Sequence, residues 1–301
     1  MSVFLCGQWG PDEAGDWLSH LRRALPEETI ADSLAGVDPA GIDIAVVANP
    51  PLGSLAGLPG LRLIQSLWAG VDRLLADRSL PPQVPVARMV DPAMNAAMAE
   101  TALWAVLALH RGFFAYAHQQ RQGLWRPLPQ RRAGEWRVAV LGLGQMGGAV
   151  AARLQAQGYA VQGWRSADGP AALPPLLAAS HTVVNLLPLT PTTRGLLDAR
   201  FFAAMAPGAS LVNLARGAHL VEADLLAALD AGHLSHAVLD VFQAEPLPIG
   251  HAFWSHPRVT VLPHAAAQTD PRSAAAVVAA NVRALRAGRP LAHQVDRGRG
   301  Y

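Results

Sequence analysis

The sequence contains no lysine: all 24 of its basic residues, set against 22 acids, are arginines. That absence removes whole classes of chemistry. A Walker-type phosphate loop needs its lysine, a pyridoxal Schiff base needs an amine, and dehydrogenases built on Tyr-x-x-x-Lys need a lysine beside the tyrosine. Cysteine is nearly absent too. The single Cys6 can form neither an internal disulfide nor a cysteine metal framework, which points to a reducing cytoplasm. Long apolar runs are also missing. The longest uninterrupted one, Ala102 to Leu109, is too short to span a bilayer, and the N-terminal Met-Ser-Val-Phe-Leu-Cys-Gly has no basic stretch of the kind that opens a signal peptide. No membrane and no targeting are expected. Charge of one sign is equally scarce. The formal charge is +2, and the pI near 9.2 reflects arginines that never titrate, so no nucleic-acid partner is implied.

What is present is apolar residues, 51% of 301 against 15% charged, enough to fill the cores of one large or two ordinary domains. Short apolar runs alternate with helical patterns, the signature of parallel sheets covered on both faces. A first block carries strand-like Val3–Cys6, Ile44–Ala48 and Leu61–Leu67 and a helix over Asp12–Leu25. Asp91-Pro92 then reads as an N-cap with proline at the first helical position, opening a long helix towards Phe114. After an arginine-rich loop from Gln119 to Glu135, a second block gives strands at Arg137–Leu141, Tyr159–Trp164, Thr182–Leu187, Ser210–Leu214, Ala237–Val241 and Val259–Leu262. Asp270-Pro271 repeats the cap, and Gly288 with Pro290 stops the last helix. Two such starts around the second block predict that it is inserted in the first: residues 1–92 with 272–301 as one domain, 93–271 as the other.

Gly142-Leu-Gly144-Gln145-Met146-Gly147 follows a strand directly and opens an amphipathic helix over Ala149–Gln157, the context of a dinucleotide-binding loop. The first glycine permits the turn, the second lets a pyrophosphate approach the backbone, and the third lets the helix pack on the sheet. The helix N-terminus supplies N–H donors and positive potential. Where an NAD site places a ribose-binding acid, this chain has Trp164-Arg165-Ser166. Arg165 would pair with a 2′-phosphate and Ser166 add a hydrogen bond, so NADPH is expected, with NADH used less efficiently. The alternative is a solvated arginine with Asp168 binding the ribose.

Three further segments put polar residues where apolar strands end: Asn213-Leu-Ala-Arg216-Gly217, Leu239-Asp240 through Glu245-Pro246, and Leu262-Pro263-His264-Ala265. Alone, each has a plain explanation: a surface ion pair for Arg216, solvation for Glu245, a loop cap for His264. In this order behind a dinucleotide loop they resemble the D-2-hydroxyacid dehydrogenase family. Ala48-Asn-Pro-Pro51, Leu67-Trp-Ala-Gly-Val-Asp72, Gly123-Leu-Trp-Arg-Pro-Leu-Pro129 and Gln294-Val-Asp-Arg-Gly-Arg-Gly-Tyr301 look like its bacterial glyoxylate/hydroxypyruvate reductase A subgroup.

The resemblance implies an α/β chain, a Rossmann-type doubly wound parallel sheet inserted into a smaller flavodoxin-like substrate domain, with the active site in the cleft between them. It implies NADPH-dependent reduction of small 2-keto acids, glyoxylate and hydroxypyruvate, by a homodimer. Arg216 would anchor the carboxylate and polarise the ketone, His264 donate the proton, and Glu245 orient His264 and raise its pKa. Backbone N–H groups of Trp68, Ala69 and Gly70 would hold the other end of the carboxylate, and Asp240 would accept from the nicotinamide carboxamide. Leu187 and Pro188 would lie along the adenosine half of the cofactor and Leu214 and Ala215 against the nicotinamide ribose; for Leu187, Leu214 and Ala215 ordinary strand-end core is an equal reading. Trp68 narrows the pocket or packs under its loop, and Trp125 reaches a partner's site or packs in its own.

Two rivals remain: an NAD-dependent member acting on a bulkier acid, and a nucleotide-sensing corepressor on the same fold. No metal is expected, because His233, His236, His251 and His256 lack a helical ligand pattern. Ser210 and Ser235 lack the strained turn of a hydrolase nucleophile.

Overall fold

The computed structural model describes residues 2–10 and 12–301. The apolar runs fold in the order β1 (Ser2–Gly7), α1 (Glu13–Ala24), β2 (Thr29–Ala31), β3 (Ile42–Ala48), β4 (Leu63–Ser66), α2 (Asp72–Leu75), β5 (Val86–Ala87), α3 (Pro92–His110) and α4 (Phe113–Arg121). There follow β6 (Arg137–Leu141), α5 (Gln145–Ala156), β7 (Ala160–Trp164), α6 (Leu173–Ala179), β8 (Thr182–Asn185), α7 (Ala199–Ala204) and β9 (Ala209–Asn213). The chain ends with α8 (Glu222–Asp230), β10 (Leu234–Leu239), α9 (Ala252–Ser255), β11 (Val259–Val261) and α10 (Pro271–Arg286). It divides into two compact units, Met1–Met94 with Thr269–Tyr301, and Asn95–Gln268.

In the first unit the strands lie parallel in the order β2-β1-β3-β4-β5, the flavodoxin-like arrangement. β3 is buried at all seven positions, as a central parallel strand covered on both faces must be. The last helix, α10, belongs to this unit. Asp270 caps it by accepting from the Arg272 N–H at 2.9 Å. Buried Asn281 donates to Gln65 Oε1 of β4 at 2.7 Å, and Arg286 pairs with Glu28 at 2.6 Å and with Asp43.

The second unit has the parallel order β11-β10-β9-β8-β6-β7. Its strands alternate between two cores, as a two-residue repeat requires. Val138, Val140, Val184, Val212 and Val238 face one core with Met98, Ala102 and Val106 of α3. Leu141, Val183, Leu211 and Leu239 face the other with Leu177, Phe202 and Leu225. Among the described residues no strand lies outside β7, so the order differs from the Rossmann 3-2-1-4-5-6. Residues 165–181 build only two short 3-10 turns and α6 before the chain crosses to β8.

The long helix stops at His110, short of Phe114, because Gly112 adopts φ 71° and α4 starts afresh. By length and composition α3, with mean hydropathy 1.2, could cross a bilayer, a property that counting uninterrupted runs misses. In this fold its Met98, Ala99, Ala102, Ala105 and Val106 are buried in the core of the second unit.

Candidate active site

The glycine loop joins β6 to α5, where the strand order changes direction between β6 and β8. α5 begins at Gln145, four residues earlier than the apolar pattern alone indicates. A Cβ at Gly147 would sit 1.7 Å from the Gly142 carbonyl oxygen, so only glycine lets the loop close on the helix. At Gly144 a Cβ would meet nothing within 4 Å, leaving open the side on which a phosphate approaches the first turn of α5. That open face, with exposed Gln145 and half-buried Met146, fits a dinucleotide pyrophosphate. At the end of β7, Arg165 and Ser166 are exposed. Asp168 turns back to accept from the Arg165 backbone N–H at 2.6 Å. One carboxylate oxygen is thereby committed to its own turn, which weakens the alternative in which Asp168 binds a ribose.

Three strand ends of the second unit bring the ionisable residues together. Gly217 passes so close to the Phe242 peptide that a Cβ would lie 1.9 Å from the Phe242 carbonyl carbon. On its other side Phe242 donates its own N–H to Glu245 Oε1 at 2.9 Å. The segments carrying Arg216 and Glu245 are thus packed backbone to backbone. Glu245 Oε2 in turn accepts from His264 Nδ1 at 2.7 Å. With Nδ1 committed, Nε2 is the ring atom free to carry a transferable proton.

His264 occupies the left-handed region at φ 53°, unusual for a side chain of this size. Asp240, itself 1% exposed, holds that turn from β10. Its carbonyl accepts from the His264 N–H at 2.9 Å, and its two carboxylate oxygens accept from the N–H groups of Ala265 at 2.7 Å and Ala266 at 3.0 Å. Burial raises the Asp240 carboxyl above its ordinary value, opposed by those two amides. The Glu245 hydrogen bond holds His264 above the usual histidine value, against burial. For Glu245 burial acts upwards, yet the His264 and Phe242 hydrogen bonds outweigh it and the carboxyl lies below its ordinary value. Both directions favour the charged form of each partner. Beside this turn lies a cavity of about 330 Å³ lined by Glu100, Thr101, Trp104, Leu262, Ala265 and Ala266.

A sequence model of the D-isomer specific 2-hydroxyacid dehydrogenase NAD-binding domain matches residues 103–266, just over half the chain. The chain belongs to the D-isomer specific 2-hydroxyacid dehydrogenases. It is 40% identical to glyoxylate/hydroxypyruvate reductase A of Yersinia enterocolitica, over 96% of this chain and 97% of the relative. A D-isomer specific 2-hydroxyacid dehydrogenase from Xanthobacter autotrophicus Py2, solved with NADPH and MES, superposes with TM-score 0.93 at 40% identity, each chain fully covered. An NADPH-dependent glyoxylate/hydroxypyruvate reductase from Sinorhizobium meliloti, solved with NADP and sulfate, superposes with TM-score 0.91 at 32% identity, again over both whole chains.

Membership makes this dehydrogenase an NAD(P)-dependent oxidoreductase, and its remaining candidates divide by what their atoms already do. The side chains of Leu187, Leu214 and Ala215 are buried. The Leu214 N–H donates to the Asn185 carbonyl at 3.2 Å, and the Leu187 and Ala215 N–H groups donate to the side chains of Asn185 and Asn213 at 3.3 Å each. In the first unit, Ser66 Oγ accepts the Trp68 N–H at 3.0 Å, so that amide is occupied. The Trp68 Nε1 is buried without a partner among the described residues. The N–H groups of Ala69 and Gly70 donate to no described residue. The four histidines considered as ligands each have a separate partner: His233 the Phe202 carbonyl, His236 Thr260, His251 Glu222 and His256 Asp230.

Sequence reasoning missed His219 and gave Asn185 and Asn213 no role. All three are fully buried. The available signal was polar residues closing apolar strands, because a strand end inside a covered sheet admits an amide only when it is hydrogen-bonded.

Proposed function

We propose that this dehydrogenase reduces small 2-keto acids with NADPH, glyoxylate to glycolate and hydroxypyruvate to D-glycerate. The observation that carries the reading is the His264–Glu245 pair at 2.7 Å, with Glu245 accepting the Phe242 N–H and Gly217, next to Arg216, packed against the Phe242 carbonyl. A keto acid needs its carboxylate anchored, its carbonyl polarised and a proton delivered to oxygen. Arg216 presents a planar fork of donors to the carboxylate and ketone. His264, whose protonated form is favoured by the Glu245 hydrogen bond, delivers the proton from Nε2. NADPH, when held by the residues below, would supply the hydride to C2.

The dehydrogenase's own residues hold the cofactor in this reading. The first turn of α5, at Gln145 and Met146 beyond Gly144, takes the pyrophosphate, and Arg165 with Ser166 takes the 2′-phosphate. Leu187 and Pro188 flank the adenosine half, and Leu214, Ala215 and Asp240 the nicotinamide half. From the first unit, the Ala69 and Gly70 N–H groups and Trp68 are assigned to the substrate. The names of the reductases similar to this chain support both the substrates and the nucleotide.

A homodimer is part of the proposal. Trp104, Leu107 and Phe113 of α3 and α4, and Leu124 and Trp125 beyond them, are exposed apolar side chains on the second unit.

The test is the oxidation of NADPH and NADH by purified protein with glyoxylate, hydroxypyruvate, pyruvate and phenylpyruvate, compared as kcat/KM. Fastest turnover is expected for NADPH with the first two acids. A preference for phenylpyruvate, or for NADH, would replace the reading with that of a dehydrogenase for bulkier acids.

A further inference from the structure

Beneath Arg216 and the Leu187–Pro188 turn lies a polar cluster that the proposed chemistry does not use. Asn185 ends β8, Asn213 ends β9, and His219 closes the 3-10 turn after Arg216; each is 0% exposed. The amide orientations are fixed by their partners. Asn185 Oδ1 accepts from the Leu187 N–H, so its Nδ2 is the donor to Asn213 Oδ1 at 3.0 Å. Asn213 Oδ1 also accepts from the Ala215 N–H, and its Nδ2 donates to the Arg216 carbonyl at 3.2 Å. His219 Nδ1 lies 3.1 Å from Asn185 Nδ2, and an amide nitrogen can only donate. Nδ1 is therefore the acceptor. A neutral imidazole then carries its proton on Nε2, which donates to the Pro188 carbonyl at 3.3 Å.

We propose that His219 is a positioning residue whose two ring nitrogens serve separate halves of the site. Nδ1, through Asn185 and Asn213, fixes the backbone of Arg216 and so the keto-acid anchor. Nε2 shares the Pro188 carbonyl with Thr193 Oγ1, which donates to it at 2.8 Å, and so helps to hold the turn on the nucleotide side. This rests on the roles proposed above for Arg216 and Pro188. The two functions separate chemically. In His219→Asn the amide oxygen takes the place of Nδ1 and nothing replaces Nε2, whereas in His219→Gln the amide nitrogen takes the place of Nε2 and nothing replaces Nδ1.

The experiment measures the KM for glyoxylate at saturating NADPH, the Kd for NADPH, and the thermal midpoint, in both variants and in Arg216→Gln. His219→Asn is expected to weaken NADPH binding about fivefold or more while changing the glyoxylate KM by less than about twofold; His219→Gln is expected to do the reverse. These magnitudes correspond to one hydrogen bond. His219→Leu, where it folds, is expected to weaken both. If the Asn and Gln variants move KM and Kd in parallel, or lower only the thermal midpoint, His219 is merely structural and the inference is overturned while the function stands. If Arg216→Gln leaves the glyoxylate kcat/KM unchanged, the anchor reading itself fails, and the inference falls with it.

Discussion

A carboxylate bonded to an imidazole can act by charge or only by geometry, and Glu245 offers a way to separate them. Glu245→Gln keeps an oxygen that can accept from His264 Nδ1 and removes the charge that, with the hydrogen bond, holds the His264 pKa up. Reduction needs the imidazolium, so the wild-type rate falls as pH rises through the His264 pKa. In the variant that pKa is lower, and the alkaline limb of kcat/KM moves to lower pH. A lost charge-assisted hydrogen bond also lowers the rate at neutral pH by roughly 10- to 100-fold. Superimposable pH profiles would show that Glu245 acts by position alone. Asp168, the acid nearest in sequence, accepts from the backbone N–H of Arg165 through one carboxylate oxygen. Arg165→Asp puts an acceptor where a ribose hydroxyl is expected and repels a 2′-phosphate. kcat/KM with NADPH should drop by about 10- to 100-fold, while NADH is used as well or better. An NADPH preference that survives this change would remove Arg165 from the nucleotide site.

At the level of elements, packing between α4 and β10 makes the second unit sensitive to acid. His236 of β10 stacks on Phe114 of α4, with ring centroids 4.4 Å apart and planes 5° from parallel, and bonds Thr260 of β11 at 2.8 Å. Burial first, and His256 nearby, lower its pKa to about 4. The unfolded chain takes up this proton near pH 6.5 while the folded one resists it, so stability is full above that pH and is lost as pH falls towards 4. The loss is at most about 3 kcal/mol. His236→Gln keeps a side chain that can bond Thr260 and cannot titrate, so its thermal midpoint should fall several degrees less than the wild type's between pH 7 and 4.5. Equal falls would exclude His236 as the cause. How well each element could be read followed from its length and its neighbours. β3 and β6 are continuous apolar strands and were legible. β2 and β5, of three and two residues, carry too little periodicity to register. The start of α5 was hidden because glycine has no side chain to contribute to an amphipathic pattern. Arg216, Glu245 and His264 were legible as an ordered set of polar residues, whereas the contacts of His219 with Asn185 and Pro188 join residues about thirty positions apart and exist only once the strands are side by side.

For the whole molecule the open question is assembly, because the second unit leaves large apolar side chains in solvent. Trp104 and Leu107 lie three residues apart on one face of α3 and are 42% and 41% exposed. Phe113 is 52% exposed and Trp125 is fully so. Scattered exposed apolar residues are ordinary, but a run of this kind along one helix and the segment after it is the composition of an interface centre, where aromatic residues are enriched and charge is depleted. A stable pair buries about 800 Å² on each partner. Sedimentation equilibrium at micromolar concentration should therefore give twice the mass of the chain. Leu107→Arg places a charge in that centre with no partner to neutralise it, and should yield monomers that still bind NADPH, since the glycine loop and Arg165 are untouched. A wild-type protein that sediments as a monomer would end the proposal. A Leu107→Arg variant that remains dimeric would move the interface to a different face of the molecule.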